Sequence, residues 1–156
     1  LLHTMKKIIP HLWFKGNAEE AVNFYLSVFK ESRIISTLHY PHEGLADFQK
    51  DFAGKVLTIE FELFDERFVA INAGPEFTFT EAVSFLITCK DQEEIDYYWH
   101  ALTTDGGEES MCGWLKDKYG LSWQVAPEGI DTLVENPRAF ANLLTMKKIN
   151  IAQLYS

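Results

Sequence analysis

The stretch Cys112-Gly113-Trp114-Leu115-Lys116-Asp117-Lys118-Tyr119-Gly120-Leu121-Ser122-Trp123-Gln124-Val125 decides the fold of this chain. One apolar run ends at Leu115, a polar segment follows, and a second run begins at Leu121. Asp117 can bond its own backbone, and Gly120 can adopt a positive φ where the chain reverses. The stretch therefore predicts a β-hairpin.

The second run of this hairpin alternates in polarity. Ser122, Gln124 and Ala126 alternate with Trp123 and Val125. Such alternation is typical of a strand with one face packed and the other open to solvent or to a cavity. Gln124 on the open face is therefore the first candidate functional position.

The rest of the chain contains two similar series of predicted elements. The first series has strands at residues 8–14, 33–40, 56–64 and 68–73 and a helix from the predicted cap Asn17 to about residue 29. The second has a strand at residues 82–90, a helix capped by Asp91 and running to about residue 104, and hairpin strands at 108–115 and 121–126. A final helix begins near Asn136, where Pro137 suits a first helical position. An internal repeat of this size predicts two copies of one structural module.

Composition limits the possible partners. The 156 residues carry 14 basic and 23 acidic side chains, a net charge of −9. Nucleic acid binding needs a concentrated positive surface, so we expect no nucleic acid partner. The charge is compatible with a cationic ligand, although acidic soluble proteins are common. Twelve Phe, six Tyr and four Trp predict an aromatic-rich interior or pocket.

Hydropathy and cysteine content bear on the compartment. No apolar run approaches the roughly 20 residues that span a bilayer, so we expect no membrane association. The first residues lack the pattern of a signal peptide. Cys89 and Cys112 form no disulfide framework, which favours the cytoplasm.

Several motifs resemble the vicinal oxygen chelate superfamily, which includes glyoxalase I, extradiol dioxygenases, and fosfomycin- and bleomycin-resistance proteins. They are Ala18-Glu19-Glu20-Ala21 followed by Phe24-Tyr25, Leu12-Trp13-Phe14 before Gly16, and the hairpin stretch itself. The closer match is the PhnB-like branch, often labelled 3-demethylubiquinone 3-methyltransferase-like. The resemblance covers the chain from Met5 to about Leu154.

The resemblance implies the α+β glyoxalase/bleomycin-resistance fold. Two tandem βαβββ modules, at residues 5–76 and 80–130, would form a curled mixed sheet around a ligand cavity. Residues 131–156 would be a C-terminal helical tail, and the whole chain one structural domain. The resemblance also implies a homodimer.

In metal-dependent relatives, His or Glu ligands come from the first and last strands of each module. Carried onto this sequence, those positions fall on Ile9, near Asn72, and on Ser84 and Gln124. Isoleucine donates nothing, and neutral amide and hydroxyl oxygens are weak ligands for transition metals. We therefore expect no conventional metal site and no cofactor. A two-residue shift would bring in His11, so a divalent metal remains the less favoured alternative.

Strand alternation and the resemblance together give the ligand-cavity candidates: His11, Trp13, Glu60, Glu62, Asn72, Ser84, Cys112 and Gln124. His11 is a general acid or base, or an ordinary strand histidine. Glu60 and Glu62 are a basic or cation-binding pair, or a solvated strand face. Cys112 is a nucleophile, or a structural cysteine. No residue can be assigned as catalytic from the sequence.

Three functions are open at this point. The favoured one is a cytoplasmic small-molecule protein with an aromatic-lined cavity, which binds or sequesters a ligand without the usual metal. The alternative is a metal-dependent glyoxalase- or dioxygenase-like enzyme that uses His11, Glu60 or Gln124. The methyltransferase of the family label is less favoured, because the sequence has no Gly-rich strand-to-helix loop of the kind that holds an adenosyl cofactor.

Overall fold

The computed structural model describes residues 6–156, which divide into two compact units between Thr78 and Phe79. The first unit contains β1 (His11–Lys15), α1 (Ala18–Val28), β2 (Ser32–His39), β3 (Val56–Leu63) and β4 (Glu66–Ala73). A short 3-10 helix, Asp47–Phe52, lies in the loop between β2 and β3. The strands form one sheet in the order β1-β4-β3-β2, in which β1 and β4 are parallel and the other pairs antiparallel.

The second unit repeats this arrangement. It contains β5 (Ser84–Cys89), α2 (Gln92–Thr103), β6 (Glu108–Glu109), β7 (Trp114–Lys116) and β8 (Ser122–Pro127), in the sheet order β5-β8-β7-β6. Three short helices follow: α3 (Ile130–Leu133), α4 (Pro137–Leu143) and α5 (Ile151–Leu154). The predicted α+β class and the repeated βαβββ module are confirmed. No helix within residues 6–156 is long and apolar enough to cross a membrane.

Each long helix covers one face of its own sheet. In the first unit, Tyr25 of α1 stacks on Phe61 of β3 with ring centroids 6.3 Å apart, and both rings are buried. In the second unit, Trp99 and Leu102 of α2 are buried, as are Trp123 of β8 and Leu115 of β7. Because side chains alternate along a strand, the residues between these buried positions lie on the opposite face. These two opposite faces hold most of the candidate site residues.

The cap of α1 differs from the predicted one. Asn17 precedes the helix, but its side chain makes no capping hydrogen bond. Asn72 of β4 accepts a hydrogen bond from the Ala18 N–H at 3.1 Å instead, and its Nδ2 donates to the Val56 carbonyl at 2.9 Å. A residue distant in sequence therefore satisfies one of the unpaired N–H groups at the start of the helix. The cap predicted for α2 is confirmed, since Asp91 accepts from the Glu94 N–H at 2.9 Å.

The first strand begins later than predicted. Pro10 has no N–H to donate to a ladder, and only its carbonyl joins the sheet, where it accepts from the Val69 N–H at 2.9 Å. The strand accordingly begins at His11.

The strand predicted at residues 108–115 is interrupted. Cys112 and Gly113 have φ values of 60° and 83°, and their N–H groups donate to the carbonyls of Met146 and Lys147 at 2.7 and 2.8 Å. A Cβ on Gly113 would lie 2.8 Å from the Ile149 side chain. The C-terminal segment therefore takes the backbone donors that a continuous strand would have used.

The C-terminal helix predicted from about Asn136 is present as α4, and a second short helix follows it. Asn136 caps α4 by accepting from the N–H groups of Arg138 and Ala139, as predicted, but the helix ends at Leu143. Asn150 then caps α5. Met146, Ile149 and Leu154 of this tail form a buried cluster with Ala126 at the end of β8.

Asp117 closes the β7–β8 hairpin, as its sequence position predicts. Its side chain is 2% exposed. Oδ1 accepts from the N–H groups of Tyr119 and Leu121 at 2.9 and 3.1 Å, and Oδ2 accepts from the Trp123 indole N–H at 2.9 Å. The carboxylate thus joins the turn to the helix-facing side of β8.

We predict that Asn72→Ala lowers the free energy of unfolding by about 1–3 kcal/mol, because the Ala18 N–H and the Val56 carbonyl lose a buried partner. Urea unfolding followed by far-ultraviolet circular dichroism measures the change. Asn17→Ala is the matched control and should have little effect. Equal losses in the two variants would contradict the assignment of the cap to Asn72.

We predict that Asp117→Asn is destabilising by about 1–3 kcal/mol, since the amide can replace only one of two acceptor oxygens and turns an N–H donor toward another donor. The indole N–H resonance of Trp123 should shift in the same variant, as seen in a heteronuclear NMR spectrum. The exposed substitution Asp51→Asn is the control. An unchanged Trp123 resonance would show that the carboxylate does not hold this indole.

Candidate functional site

The face of the second sheet opposite α2, called here the second open face, carries two rows of side chains. In one row Gln124 of β8 lies between Leu86 of β5 and Trp114 of β7. In the adjacent row Ser122 lies between Ser84 and Lys116. Side chains that pair across strands on one face lie within contact distance of each other. The second open face therefore combines an indole, an amide, two hydroxyls and an ammonium group.

Two sequence-predicted site residues, Gln124 and Ser84, lie together on this face. The Gln124 Nε2 donates to the Ser84 Oγ at 2.9 Å. Relatives that bind metal are expected to have charged or imidazole ligands at these two positions. Here a neutral amide and a neutral hydroxyl bond each other, which leaves a weak donor set for a divalent ion.

A pocket of about 160 Å³ adjoins this pair in the second unit. Its lining includes Glu81, Glu108, Ser110, Trp114, Lys116 and Ser122. Ser122 is 1% exposed, and its hydroxyl has no hydrogen-bond partner within residues 6–156. Buried hydroxyls are ordinarily paired, so this one marks a place where a bound molecule can supply the partner.

Lys116 and Glu81 form an ion pair at the rim of this pocket. The hydrogen bond from Lys116 holds the pKa of Glu81 below its ordinary value, and the same bond raises the pKa of Lys116. Both groups are therefore charged at neutral pH. Lys116 was not among the residues that the sequence predicted for the site, although it lines the pocket.

The face of the first sheet opposite α1, called here the first open face, contains His11 and Trp13. His11 is exposed, and its Nδ1 lies 2.9 Å from the Ile9 carbonyl oxygen. The Trp13 indole N–H donates to the Gly74 carbonyl at 2.9 Å, and its ring meets Phe77 edge-on at 4.9 Å. Trp13 is thus a positioned aromatic surface rather than a mobile side chain.

Glu60 and Glu62 also lie on the first open face, as strand alternation predicts, but within an ion-pair network. Arg67 of β4 lies 3.6 Å from the Glu60 carboxylate and 3.4 Å from that of Glu62. Glu62 also pairs with Arg33 at 3.3 Å, and this hydrogen bond holds the pKa of Glu62 below its ordinary value. The two carboxylates are therefore engaged by arginines that sequence reasoning did not assign to the site. The two-residue turn at 64–65 places Glu62 opposite Arg67, so this contact was readable from the hairpin.

Asn72 occupies a different place from the one expected. It is buried on the helix-facing side of β4, where it caps α1, and does not lie on the first open face. His11 lies three residues before the buried Phe14 of β1, and Leu86 lies three residues before the buried Cys89 of β5. His11 and Leu86 therefore occupy equivalent positions in the two units. These two residues pair with Val69 and Gln124, respectively. Val69, not Asn72, is therefore the internal counterpart of Gln124.

The same count makes Ile9 the counterpart of Ser84, so the first unit carries the apolar residues Ile9 and Val69 at the positions that correspond to Ser84 and Gln124. Within residues 6–156, no three His, Cys, Asp or Glu side chains lie close enough together to hold a metal ion. The residues present do not fit the metal that the superfamily uses.

The two cysteines have structural surroundings. Cys89 is buried at the end of β5, and burial together with the nearby carboxylates Glu94, Asp91 and Glu128 raises the pKa of its thiol to about 12. The thiol is therefore protonated at neutral pH and a poor nucleophile. Cys112 is partly buried in the turn before β7, in the positive-φ conformation described above.

Comparison with known proteins extends these observations. A family model described as 3-demethylubiquinone-9 3-methyltransferase matches residues 6–126. A solved structure of the PhnB protein from Bacillus cereus, described as a putative 3-demethylubiquinone-9 3-methyltransferase, is 38% identical over 78% of this chain and 99% of that chain, with a TM-score of 0.66. No curated protein matches the sequence.

Two more distant structures share the fold alone. Protein PA1353 from Pseudomonas aeruginosa is 20% identical over 80% of this chain and 98% of that chain, with a TM-score of 0.63. The fosfomycin resistance protein FosX from Listeria monocytogenes is 14% identical over 83% of this chain and 98% of that chain, with a TM-score of 0.53. Together with the family match and the 38% identity to PhnB, these likenesses confirm the resemblance: the chain belongs to the 3-demethylubiquinone-9 3-methyltransferase (PhnB-like) family and has the vicinal oxygen chelate fold.

Proposed function

We propose that this protein binds a small organic molecule in the cytoplasm, without a resident divalent metal. The observation that carries the proposal is the second open face, where Gln124 donates to Ser84 beside a pocket with an unpartnered buried hydroxyl. Polar groups that converge on a concave surface beside an aromatic side chain are typical of ligand sites.

Aromatic surface supports the same function. Trp114 lines the pocket of the second unit, and Trp13 is held by a hydrogen bond and a ring contact on the first open face. Removal of apolar area from water contributes about 25 cal/mol per Å², so an organic ligand that covers about 100 Å² of such surface gains about 2.5 kcal/mol. By itself this gain corresponds to a dissociation constant of only about 15 mM, so the polar groups of the pocket must supply the rest of the affinity.

Binding or sequestration is favoured over catalysis because the candidate reactive groups have other roles. Glu60 and Glu62 are in ion pairs, and Cys112 lies partly buried in a positive-φ turn, where its N–H donates to the Met146 carbonyl. A general acid or base must be within hydrogen-bond reach of the proton it transfers. His11 lies on the first open face with one ring nitrogen already beside a backbone carbonyl.

The methyltransferase named in the family description gains no support from the fold. Adenosyl and dinucleotide cofactors are ordinarily held by a Gly-rich loop in an open parallel sheet. Each sheet here has a single parallel pair, and the β1–α1 and β5–α2 connections contain one glycine, Gly16, between them.

We also propose a homodimer, as the fold resemblance implies; light scattering of the purified protein tests it.

We predict that protein purified without chelators contains no stoichiometric divalent metal, because the positions where relatives bind metal carry Ile9, Val69, Ser84 and Gln124. Inductively coupled plasma mass spectrometry measures the content. His11→Ala should leave it unchanged. One tightly bound Zn²⁺, Mn²⁺ or Fe²⁺ per chain that disappears in His11→Ala would favour the metal-dependent enzyme instead.

We predict that neutral aromatic fragments such as benzyl alcohol and benzamide bind weakly to the second open face, and that Trp114→Ala weakens them about tenfold, equivalent to about 1.4 kcal/mol. Titrations followed by heteronuclear NMR should show shifts at the Trp114 indole and the Gln124 side-chain amide. Phe48→Ala removes a 77% exposed aromatic ring of the first unit and is the control. Equal affinities in both variants would place the ligand elsewhere.

A further inference from the structure

We propose that the pocket of the second unit accepts the ammonium group of a small organic amine. The inference rests on the proposed function, because it names the class of ligand that the second open face binds. Its elements are the charge of the pocket lining, the unpartnered hydroxyl of Ser122 and the indole of Trp114.

The charge of the lining favours a cation. Three carboxylates, those of Glu81, Glu108 and Glu109, line the pocket with one ammonium, that of Lys116. Glu81 is paired with Lys116, and Glu109 accepts a hydrogen bond from the Trp99 indole. The lining therefore has a net charge of two negative units. An anionic ligand would have to approach these carboxylates while Lys116, the lysine of the lining, is already paired.

The hydroxyl of Ser122 supplies the directional contact. It lines the pocket, is almost completely shielded from solvent, and lacks a hydrogen-bond partner in the part of the chain that the structure describes. A primary ammonium has three donors and no acceptor. After a rotation about the Cα–Cβ bond of Ser122 that turns the shielded oxygen toward the pocket, one donor can pair with it and another with a carboxylate of the lining. The ligand then satisfies a group that the protein leaves unpaired.

The indole of Trp114 provides a contact surface for the organic part of the ligand. It contributes to the pocket lining and pairs in register with Gln124, so its ring lies where the pocket meets the rest of the second open face. An indole is the best of the aromatic surfaces for a neighbouring cation. The pocket volume of about 160 Å³ corresponds to roughly five water molecules at about 30 Å³ each, which suits an ammonium group with a few carbons.

Benzylamine, benzyl alcohol and benzoate test the inference, since they share a ring and differ in the charge of one substituent. Dissociation constants are measured by NMR titration of the full chain at neutral pH in low and in physiological salt. We expect benzylamine to bind at least tenfold more tightly than benzyl alcohol in both salts, with benzoate weakest. The resonances that shift on addition of benzylamine should include the backbone amide of Ser122 and the Trp114 indole.

Ser122→Ala and Glu108→Gln identify the pocket as the binding place. Ser122→Ala removes an unpaired buried hydroxyl, so the variant should unfold at the same temperature as the parent protein or higher. Both variants should lose at least fivefold in benzylamine affinity and leave benzyl alcohol binding nearly unchanged. Glu93→Gln is the matched control: it removes the same charge from an exposed position in the first turn of α2, outside the pocket lining.

Each other outcome overturns the inference. Equal affinities for benzylamine and benzyl alcohol would leave the proposed function standing and remove the amine preference. The overall negative charge of the protein is the other source of a tenfold preference for benzylamine over benzyl alcohol. That explanation would hold if the preference persisted in Ser122→Ala, or if Glu93→Gln lowered it as much as Glu108→Gln. If none of the three compounds binds, the proposed function fails as well.

Discussion

The second unit depends on one buried carboxylate. Asp117 accepts hydrogen bonds from the N–H groups of Tyr119 and Leu121 in the turn that follows it and from the indole of Trp123. These contacts fix which residue of β7 faces which residue of β8. A slip of one residue would move every side chain of a strand to the other face of the sheet. The pairings of Trp114 with Gln124 and of Lys116 with Ser122, which build the pocket, therefore follow from the geometry of a turn.

The two units share a backbone arrangement but stabilise it with different residues. Each has the same strand order and one helix on its sheet, and each must satisfy the N–H groups at the start of that helix. In the second unit the adjacent Asp91 does so; in the first unit the distant Asn72 does so. The equivalent positions diverge further: Ile9, which precedes β1, and Val69 correspond to Ser84 and Gln124. The repeat thus preserves the backbone while the chemistry of its open faces varies.

Sequence reasoning succeeded where the controlling interactions are local. Alternation placed Gln124 and Ser84 on one face, and turn chemistry identified Asp117. It failed where a distant segment competes for the same backbone group. Asn17 has the composition of a helix cap, yet Asn72 makes the bond. The ion pair between Glu60 and Arg67 depends on the register of two neighbouring strands, and the residues next to Glu60 in sequence do not indicate it.

The C-terminal segment is the clearest case of such competition. The family model ends at residue 126, and the segment after it binds the N–H groups of Cys112 and Gly113 through the carbonyls of Met146 and Lys147. With those donors engaged, β7 begins only at Trp114 and β6 is limited to two residues. A Cβ at Gly113 would lie 2.8 Å from the Ile149 side chain and 2.9 Å from the Val125 carbonyl oxygen, so the turn is confined by both the tail and β8. Because Ser110 and Trp114 on either side of that turn line the pocket, a segment outside the family model sets one wall of the proposed binding site.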